Sequence, residues 1–189
     1  MTARKDRFNA YFITVTGVMA ALACVSNLLR IPLGDSKLSI SNAICVLCGF
    51  LLGPGSGFLA AGIGNFLYDI FTGYGYESLI TLVSKGAIAV VAALIASHIR
   101  HKGKLDGKDY PRLLIASILA ALTYVALYML KTFVLGLTVN GLTMEATGLK
   151  MAAKLPASLT NAVFAAVVSP LFYLAVRPAL SHIGVFRKM

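Results

Sequence analysis

Three lysines, Lys85, Lys131 and Lys154, lie inside or at the rim of strongly apolar segments. An ammonium group at the centre of a membrane helix costs about 2.5–3.5 kcal/mol on insertion scales, so such residues are usually paired, hydrated or functional. Asp69 is the only carboxylate within an apolar run, and it either pairs with a lysine or contacts a bound molecule. Lys131 and Lys154 could instead extend to the interface along their methylene stems. These residue types indicate a polar pocket for a small water-soluble molecule.

Four apolar segments each carry a polar stripe, because residues three, four or seven apart share one face of a helix. Asn161 stands out, since its amide both donates and accepts hydrogen bonds. One stripe per segment indicates that the four faces share an interior cavity. The stripes are Asn65, Tyr68, Asp69 and Thr72; Thr81 and Lys85; Tyr124, Tyr128 and Lys131; and Lys154, Ser158 and Asn161.

Glycine and tyrosine alternate in the segment Thr72–Ser78. Glycine gives such a loop flexibility, and tyrosine offers stacking and hydrogen bonding, so the pattern suits a loop that closes over a ligand. Tyr74, Tyr76 and Glu77 are therefore candidate binding residues. The alternative is an interfacial aromatic belt, in which tyrosine is enriched without any ligand.

The composition requires a membrane around these residues. Of 189 residues, 58% are hydrophobic and 13% charged, and a soluble domain carries about twice that charge. The apolar runs are long enough to be tested as spans of about 20 residues. We predict an all-α polytopic membrane protein, with residues 1–189 forming a single bundle of six transmembrane helices. The six segments are about Ala10–Leu29, Ser39–Leu52, Gly57–Phe71, Leu79–Ile99, Leu113–Leu135 and Met151–Val176.

The second and third segments are short, at 14–15 residues, and a tight uncharged turn at Gly53–Gly57 joins them. A hydrocarbon core of about 30 Å needs more residues than that. We therefore predict that these segments are broken or re-entrant, or that loops dip into the protein beside them. Non-helical backbone at membrane depth is tolerated only where protein buries it or a cavity adjoins it.

The net charge of +10 is grouped at alternate segment ends. This clustering follows the positive-inside rule and argues against nucleic-acid binding. It predicts that both termini are cytoplasmic and that loops at about Arg30–Leu38, Thr72–Ser78 and Gly136–Lys150 face outward. The clustered residues are Arg4, Lys5, Arg7, Arg100, Lys102, Lys104, Lys108, Arg112, Arg177, Arg187 and Lys188.

The sequence lacks the motifs of nucleotide binding, nucleophilic catalysis and metal binding. There is no G-x-x-x-x-G-K-[ST] phosphate-binding loop and no G-x-S-x-G nucleophile setting. No His/Glu cluster has metal spacing, and Cys45 and Cys48 have no second Cys or His pair nearby. We therefore predict no metal, no cofactor and no enzymatic activity.

Small residues recur four apart in the first segment, as Gly17 with Ala21 and Ala20 with Cys24. Such spacing lets another helix approach closely. It serves either ordinary packing within the bundle or docking to a separate membrane protein.

Three stretches of the sequence resemble the substrate-binding S component of energy-coupling factor (ECF) vitamin transporters. The stretches Leu52–Phe58 and Gly62–Ile70 are similar to the "G-P-x-x-G … D" passage of that family. Thr16–Leu22 is similar to its small-residue motif, with glycine and cysteine at two places often held by alanine. The resemblance extends over nearly the whole chain.

The resemblance implies a multi-pass protein of a prokaryotic plasma membrane that binds one vitamin or precursor from outside. The site would lie between the outer loops and the outer halves of the last three helices. In this family the small-residue motif packs on a membrane scaffold subunit, and two cytoplasmic ATPases supply the energy. The S component is thought to topple in the membrane as it carries its ligand inward.

The sequence is closest to the branch that contains riboflavin, hydroxymethylpyrimidine and pyridoxine carriers. Tyrosines beside polar groups suit all three ligands, and we expect pyridoxine or hydroxymethylpyrimidine first and riboflavin next. A lysine-rich pocket could instead favour an anion such as pantothenate, nicotinate or folate.

Three other functions compete with this hypothesis. A small membrane enzyme acting on lipid-linked substrates would need an acid/base or metal partner for Asp69, which the sequence does not offer. A ligand-free assembly protein would use the polar faces only as contacts between helices. A stand-alone carrier would usually show internal repeats, and none is evident.

Overall fold

The computed structural model describes the backbone of residues 2–33, 36–100 and 109–182, and the side chains of residues 12–29, 38–97 and 109–178. Within these ranges the chain forms six α-helices and one β-hairpin, which confirms the predicted all-helical class. The elements are α1 Thr2–Ser26, β1 Arg30–Leu33, β2 Ser36–Ser39, α2 Ser41–Leu52, α3 Pro54–Phe71, α4 Glu77–Arg100, α5 Asp109–Thr138 and α6 Met144–His182.

The predicted cytoplasmic orientation rests largely on side chains that lie outside the described residues. Of the basic residues behind it, Arg112 and Arg177 are described. The side chains outside the described ranges are those of Arg4, Lys5, Arg7, Arg100, Lys102, Lys104, Lys108, Arg187 and Lys188.

The predicted first outer loop, Arg30–Leu38, is a β-hairpin in the structure. Strands β1 and β2 pair antiparallel, with Ile31 opposite Leu38 and Leu33 opposite Ser36. The hairpin packs against α6, and the Ser39 backbone N–H donates to Asn161 Oδ1 at 2.8 Å. A four-residue strand has too little periodicity to be distinguished from a loop in the sequence.

The bounds predicted for the third outer loop, Gly136–Lys150, are wrong, because most of that stretch is helical. Helix α6 begins at Met144, seven residues before the predicted start, and the connection is only 139–143. Thr143 Oγ1 accepts a hydrogen bond from the Ala146 N–H at 3.3 Å, which caps the first turn of α6. The first turns of α6 are polar, so apolar runs in the sequence do not predict them as helix.

Helix α2 lies at the centre of the bundle, where it contacts each of the other five described helices. All twelve of its residues are buried. At 1.5 Å per residue it is only about 18 Å long. The short second segment is thus an internal helix enclosed by its neighbours, and its N-terminus begins directly after the hairpin.

A single residue, Gly53, joins α2 to α3, where the sequence predicted a turn over Gly53–Gly57. Its φ of 84° lies in the left-handed region that glycine adopts without strain. Pro54 then occupies the first helical turn of α3, where its missing N–H has no helical partner to lose.

Three described helical segments are long and apolar enough to cross a membrane: Glu77–Ser97 in α4, Asp109–Thr138 in α5 and Met144–Pro178 in α6. Shorter apolar helices are present at Phe12–Ser26 and Ser41–Leu52. Many large apolar side chains on the outer faces of the bundle are exposed, among them Leu94, Ile115 and Val163.

Close packing of α2 on α4 depends on Gly49. A Cβ atom added there would lie 2.2 Å from the Ala89 carbonyl oxygen, which belongs to rigid helical backbone. Helix axes at this contact therefore approach more closely than any larger residue allows.

We predict that Gly49→Ala lowers the free energy of unfolding by about 1–3 kcal/mol, the range found for overpacked cores. Gly148→Ala in α6 is the matched control, because an added Cβ there meets no atom within 4 Å and alanine favours the helix. The measurement is the thermal unfolding midpoint of both variants in one detergent. An unchanged midpoint for Gly49→Ala would contradict the close α2–α4 contact.

Candidate functional site

A cavity of about 420 Å³ opens at the N-terminal end of α2. Side chains from the end of α1, from β2 and from helices α2 to α6 surround it, together with residues of the connecting loops. The lining residues are Asn27, Ser39, Asn42, Asn65, Tyr68, Asp69, Tyr74, Glu77, Thr81, Ser84, Lys85, Tyr124, Tyr128, Lys131, Thr132, Leu135, Asn140, Lys150, Lys154 and Asn161.

The structure brings eleven of the thirteen predicted binding residues to this cavity. Tyr76 does not line it and is 57% exposed, whereas Ser158 is buried away from it with 2% exposure. At 3.6 residues per turn, Lys154 and Asn161 lie within about 20° of each other around the helix axis, while Ser158 lies about 40° to one side. The eleven are Asn65, Asp69, Tyr74, Glu77, Thr81, Lys85, Tyr124, Tyr128, Lys131, Lys154 and Asn161.

Lys85 is satisfied by two neighbours from different helices. Its Nζ donates a hydrogen bond to Asn42 Oδ1 in the first turn of α2. The same Nζ lies 5.2 Å from the centroid of the Tyr124 ring, within cation–π range. A neutral amide and an aromatic face thus hold this cation in the cavity.

Lys131 pairs with Glu77, not with Asp69. Lys131 Nζ lies 2.8 Å from Glu77 Oε2, and the side chains are 18% and 32% exposed. A partly exposed pair of this kind contributes roughly 0–1 kcal/mol to stability, because water screens both charges. Glu77 opens α4, so its carboxylate reaches α5 from a helix terminus that the sequence placed in a loop.

Tyr124 and Tyr128 stack on each other, with ring centroids 5.7 Å apart and planes at 25°. Lys154 Nζ lies 5.7 Å from the centroid of Tyr128. Together with Lys85 these residues form a row of cation, two rings and cation, which we call the lysine–tyrosine row. The rings that the sequence offered for ligand stacking already contact one another and two ammonium groups.

The amide of Asn65 joins three helices. Its Oδ1 accepts hydrogen bonds from Ser41 Oγ at 2.6 Å and from Asn27 Nδ2 at 3.0 Å. Its Nδ2 donates to the Ala61 carbonyl at 2.8 Å and to Cys45 Sγ at 3.3 Å. Asn65 is 1% exposed, so its role here is to tie α1 and α2 to α3 at the edge of the cavity.

Asn161 plays a corresponding part on α6. Its Oδ1 accepts the Ser39 N–H at 2.8 Å, and its Nδ2 donates to the Ala157 carbonyl at 3.1 Å. Ser39 Oγ in turn accepts from the Ser41 N–H at 3.2 Å, at the start of α2. The amide that the sequence marked as a ligand reader therefore fixes the hairpin beside the cavity.

The carboxylate of Asp69 is held less closely than that of Glu77. Among the side chains that the structure describes, none lies within hydrogen-bond or ion-pair distance of it, but the Lys85 ammonium interacts with it electrostatically. Lys150 and Lys154 likewise have no carboxylate partner within the described ranges. The lining carries four lysines against Asp69 and Glu77, so the described cavity has an excess of positive charge.

Sequence reasoning missed nine lining residues. Ser84 and Thr132 are chain neighbours of Lys85 and Lys131, which could have marked them, and Tyr68 belongs to one of the polar stripes. Asn140 lies in the connection before α6 and Lys150 lies near its start, both within the stretch predicted as a loop. The nine are Asn27, Ser39, Asn42, Tyr68, Ser84, Thr132, Leu135, Asn140 and Lys150.

The small residues of α1 divide between two faces. Gly17 and Ala21 are exposed, and an added Cβ at Gly17 would meet no atom within 4 Å. Ala20 and Cys24 are partly buried, and the Ala20 carbonyl packs on Gly64 of α3. An open face around Gly17 and Ala21 thus lies opposite the packed one.

A helical bundle with apolar outer faces around a charged cavity of about 420 Å³ has the form of a membrane protein that binds a small polar solute. The sequence model described as "ECF-type riboflavin transporter, S component" matches residues 7–178. The chain belongs to this family of ECF transporter S components, as the resemblance implied. No curated protein matches the chain significantly. The family is a transport component, which confirms the non-enzymatic function and removes the membrane-enzyme alternative.

We predict that Asn65→Ala lowers the unfolding midpoint, because it leaves the buried Ser41 hydroxyl without its acceptor, whereas Asn27 keeps the Ala23 carbonyl. A buried polar group without a partner costs about 1–3 kcal/mol. Asn140→Ala is the matched change at an exposed position, where about 0.5 kcal/mol or less is expected. Equal midpoints for the two variants would show that the Asn65 network does not hold the helices together.

Proposed function

We propose that this chain captures a water-soluble vitamin from outside the cell and delivers it inward together with a membrane scaffold subunit and two cytoplasmic ATPases. The observation that carries the proposal is the gathering of eleven predicted polar residues from separate helices into one cavity of an S-component family member. A ligand-free assembly protein would have no need for a cavity of about 420 Å³.

We further propose that residues 1–189 form one domain that crosses a prokaryotic plasma membrane six times, with both termini cytoplasmic. Three apolar helices of sufficient length and the clustering of basic residues support this topology. Helix α2 can be shorter than a bilayer core, because its neighbours enclose it completely. On this topology the cavity and the hairpin face the outside.

For the ligand we propose riboflavin ahead of pyridoxine and hydroxymethylpyrimidine, the smaller rings that the sequence favoured. The description of the matching family supports this order. Pockets that enclose drug-sized ligands measure about 300–1,000 Å³. A cavity of about 420 Å³ suits a three-ring flavin with its ribityl chain better than a single six-membered ring.

The lining residues divide into two roles in this proposal. Asn65 and Asn161 hold the walls, since their amides are engaged within the protein. Lys154, Tyr128 and Asp69 face the ligand directly. Ammonium groups suit the carbonyl oxygens of a flavin ring, and a carboxylate suits its hydroxyl groups.

Lys154→Ala tests the α6 side of the site. We expect it to weaken riboflavin binding by roughly tenfold to a hundredfold, because hydrogen bonds to charged groups contribute about 1.5–3 kcal/mol. Quenching of flavin fluorescence during titration of the purified protein measures the Kd. Arg112→Ala, which removes an exposed cation outside the cavity, is the control and should bind like the wild type. Wild-type affinity in Lys154→Ala would remove α6 from the site.

Ala21→Trp tests the docking face. A bulky side chain on the open face of α1 should abolish vitamin uptake by cells that express the complete transporter, yet leave the Kd of the isolated chain unchanged. Ala126→Trp on an exposed face of α5 is the matched control and should allow uptake. Normal uptake by Ala21→Trp would show that the scaffold binds elsewhere.

A further inference from the structure

Helix α1 is attached to the bundle mainly through α3, and to a smaller extent through α2. The α1–α3 contact is closest at Gly64, where an added Cβ atom would lie 2.2 Å from the Ala20 carbonyl oxygen. The open face proposed for docking lies on the same turns of α1, at Gly17 and Ala21. A partner that displaces α1 from that face must therefore change the α1–α3 contact.

Asn27, the residue after α1, joins this contact to the wall of the cavity. Its Nδ2 donates to the Ala23 carbonyl at 2.9 Å and to Asn65 Oδ1 at 3.0 Å, so one amide holds the end of α1 to α3. The same side chain lines the cavity. Because Asn65 follows Gly64 in the chain, the close approach of the two helices and their hydrogen bond lie at neighbouring residues of α3.

Asn65 is also held by α2 and by its own helix. Its Oδ1 accepts from Ser41 Oγ at 2.6 Å, and its Nδ2 donates to the Ala61 carbonyl and to Cys45 Sγ. None of these three partners belongs to α1. A shift of α1 relative to α3 therefore breaks the contact with Asn27, whereas Asn65 stays in place.

The proposed function requires a link between docking and the cavity. A chain that captures a vitamin tightly when alone and delivers it inward must bind the vitamin less tightly once it is docked. A partner changes the affinity of a site only if the two conformations of that site contact the ligand differently. The open face of α1 shares no residue with the cavity lining, so a contact between them has to carry the change.

We propose that Asn27 is a positioning residue that couples docking at α1 to the affinity of the cavity, through its hydrogen bond with Asn65. The inference rests on the proposed function and deepens it. Docking on the open face shifts α1, the Asn27 amide leaves Asn65, and the part of the wall that Asn27 forms loses its position. Because linkage is reciprocal, a bound vitamin lowers the affinity of the chain for the scaffold by the same factor.

The experiment measures how much docking changes the affinity for riboflavin. Fluorescence titration gives the Kd for the chain alone and for the chain fully assembled with the scaffold and the two ATPases, without ATP. The ratio of the docked to the undocked Kd is compared among the wild type, Asn27→Ala and Ser26→Ala. A contact between Asn27 and the ligand that docking leaves unchanged cancels in this ratio.

Ser26→Ala is the matched control for the end of α1. The Ser26 hydroxyl donates to the same Ala23 carbonyl at 2.8 Å, but Ser26 does not line the cavity. Asn27→Ala is expected to fold, because neither acceptor loses its last side-chain donor. The Ala23 carbonyl keeps the Ser26 hydroxyl, and Asn65 Oδ1 keeps the Ser41 hydroxyl.

For the wild type we expect a ratio of at least about fivefold, the lower end of the usual range for coupled sites. Asn27→Ala should reduce the ratio to less than about twofold, because the Kd of the isolated chain rises toward the docked value. Ser26→Ala should keep the wild-type ratio. The inference is overturned if Asn27→Ala keeps that ratio, if both variants reduce it equally, or if the wild-type ratio is one.

Failure of the proposed function gives different results. If riboflavin does not bind the isolated chain, the proposed ligand is wrong and the inference falls with it. If riboflavin binds but the chain does not assemble with the scaffold, the proposed partners are wrong and the coupling is excluded. If riboflavin binds and the chain assembles, an unaltered ratio in Asn27→Ala overturns only the role of Asn27 and leaves the proposed function intact.

Discussion

Polar groups inside an apolar bundle must satisfy one another or a ligand, and this constraint organises the whole cavity. Neither lipid nor an aliphatic core offers a partner, so each buried donor and acceptor without one costs free energy. The hydroxyl groups of Thr81, Ser84 and Thr132 donate to carbonyls of their own helices, whereas the amides and Lys85 make contacts between elements. Asn65 joins α1, α2 and α3, Asn161 joins α6 to the hairpin, and Lys85 joins α4 to α2.

The short central helix explains why this cavity exists at all. Helix α2 fills about 18 Å of the interior, whereas the 30 residues of α5 extend about 45 Å at the same rise per residue. Space therefore remains beyond the N-terminus of α2, and Asn42 lines it. The close contact at Gly49 and the one-residue turn at Gly53 hold α2 at this depth.

Helical periodicity predicted much of this arrangement, because a polar stripe on an apolar helix must turn inward. It placed Asp69, Lys85 and Lys154 correctly at one cavity. It could not predict which lysine pairs with which carboxylate, because that depends on where the helix ends lie in space. Lys131 pairs with Glu77 at the start of α4.

Short-range signals failed for different reasons. The hairpin has too few residues to show a period of two, and the first turns of α6 are polar enough to resemble a loop. Ser158 shares a predicted polar stripe with Lys154 but does not line the cavity. A displacement of about 40° around the helix axis is enough to bury its side chain elsewhere. The identity of the ligand depends on the volume and charge of the assembled cavity, which no single segment encodes.

Native mass spectrometry of the detergent-purified chain alone tests the central claim most directly. The panel is riboflavin, pyridoxine and hydroxymethylpyrimidine, with pantothenate, nicotinate and folate as anions. We predict that the chain retains riboflavin at one ligand per protein without any partner subunit. Retention of a smaller ring or an anion would correct the ligand, and a folded chain that retains none would contradict a binding cavity and favour an assembly role.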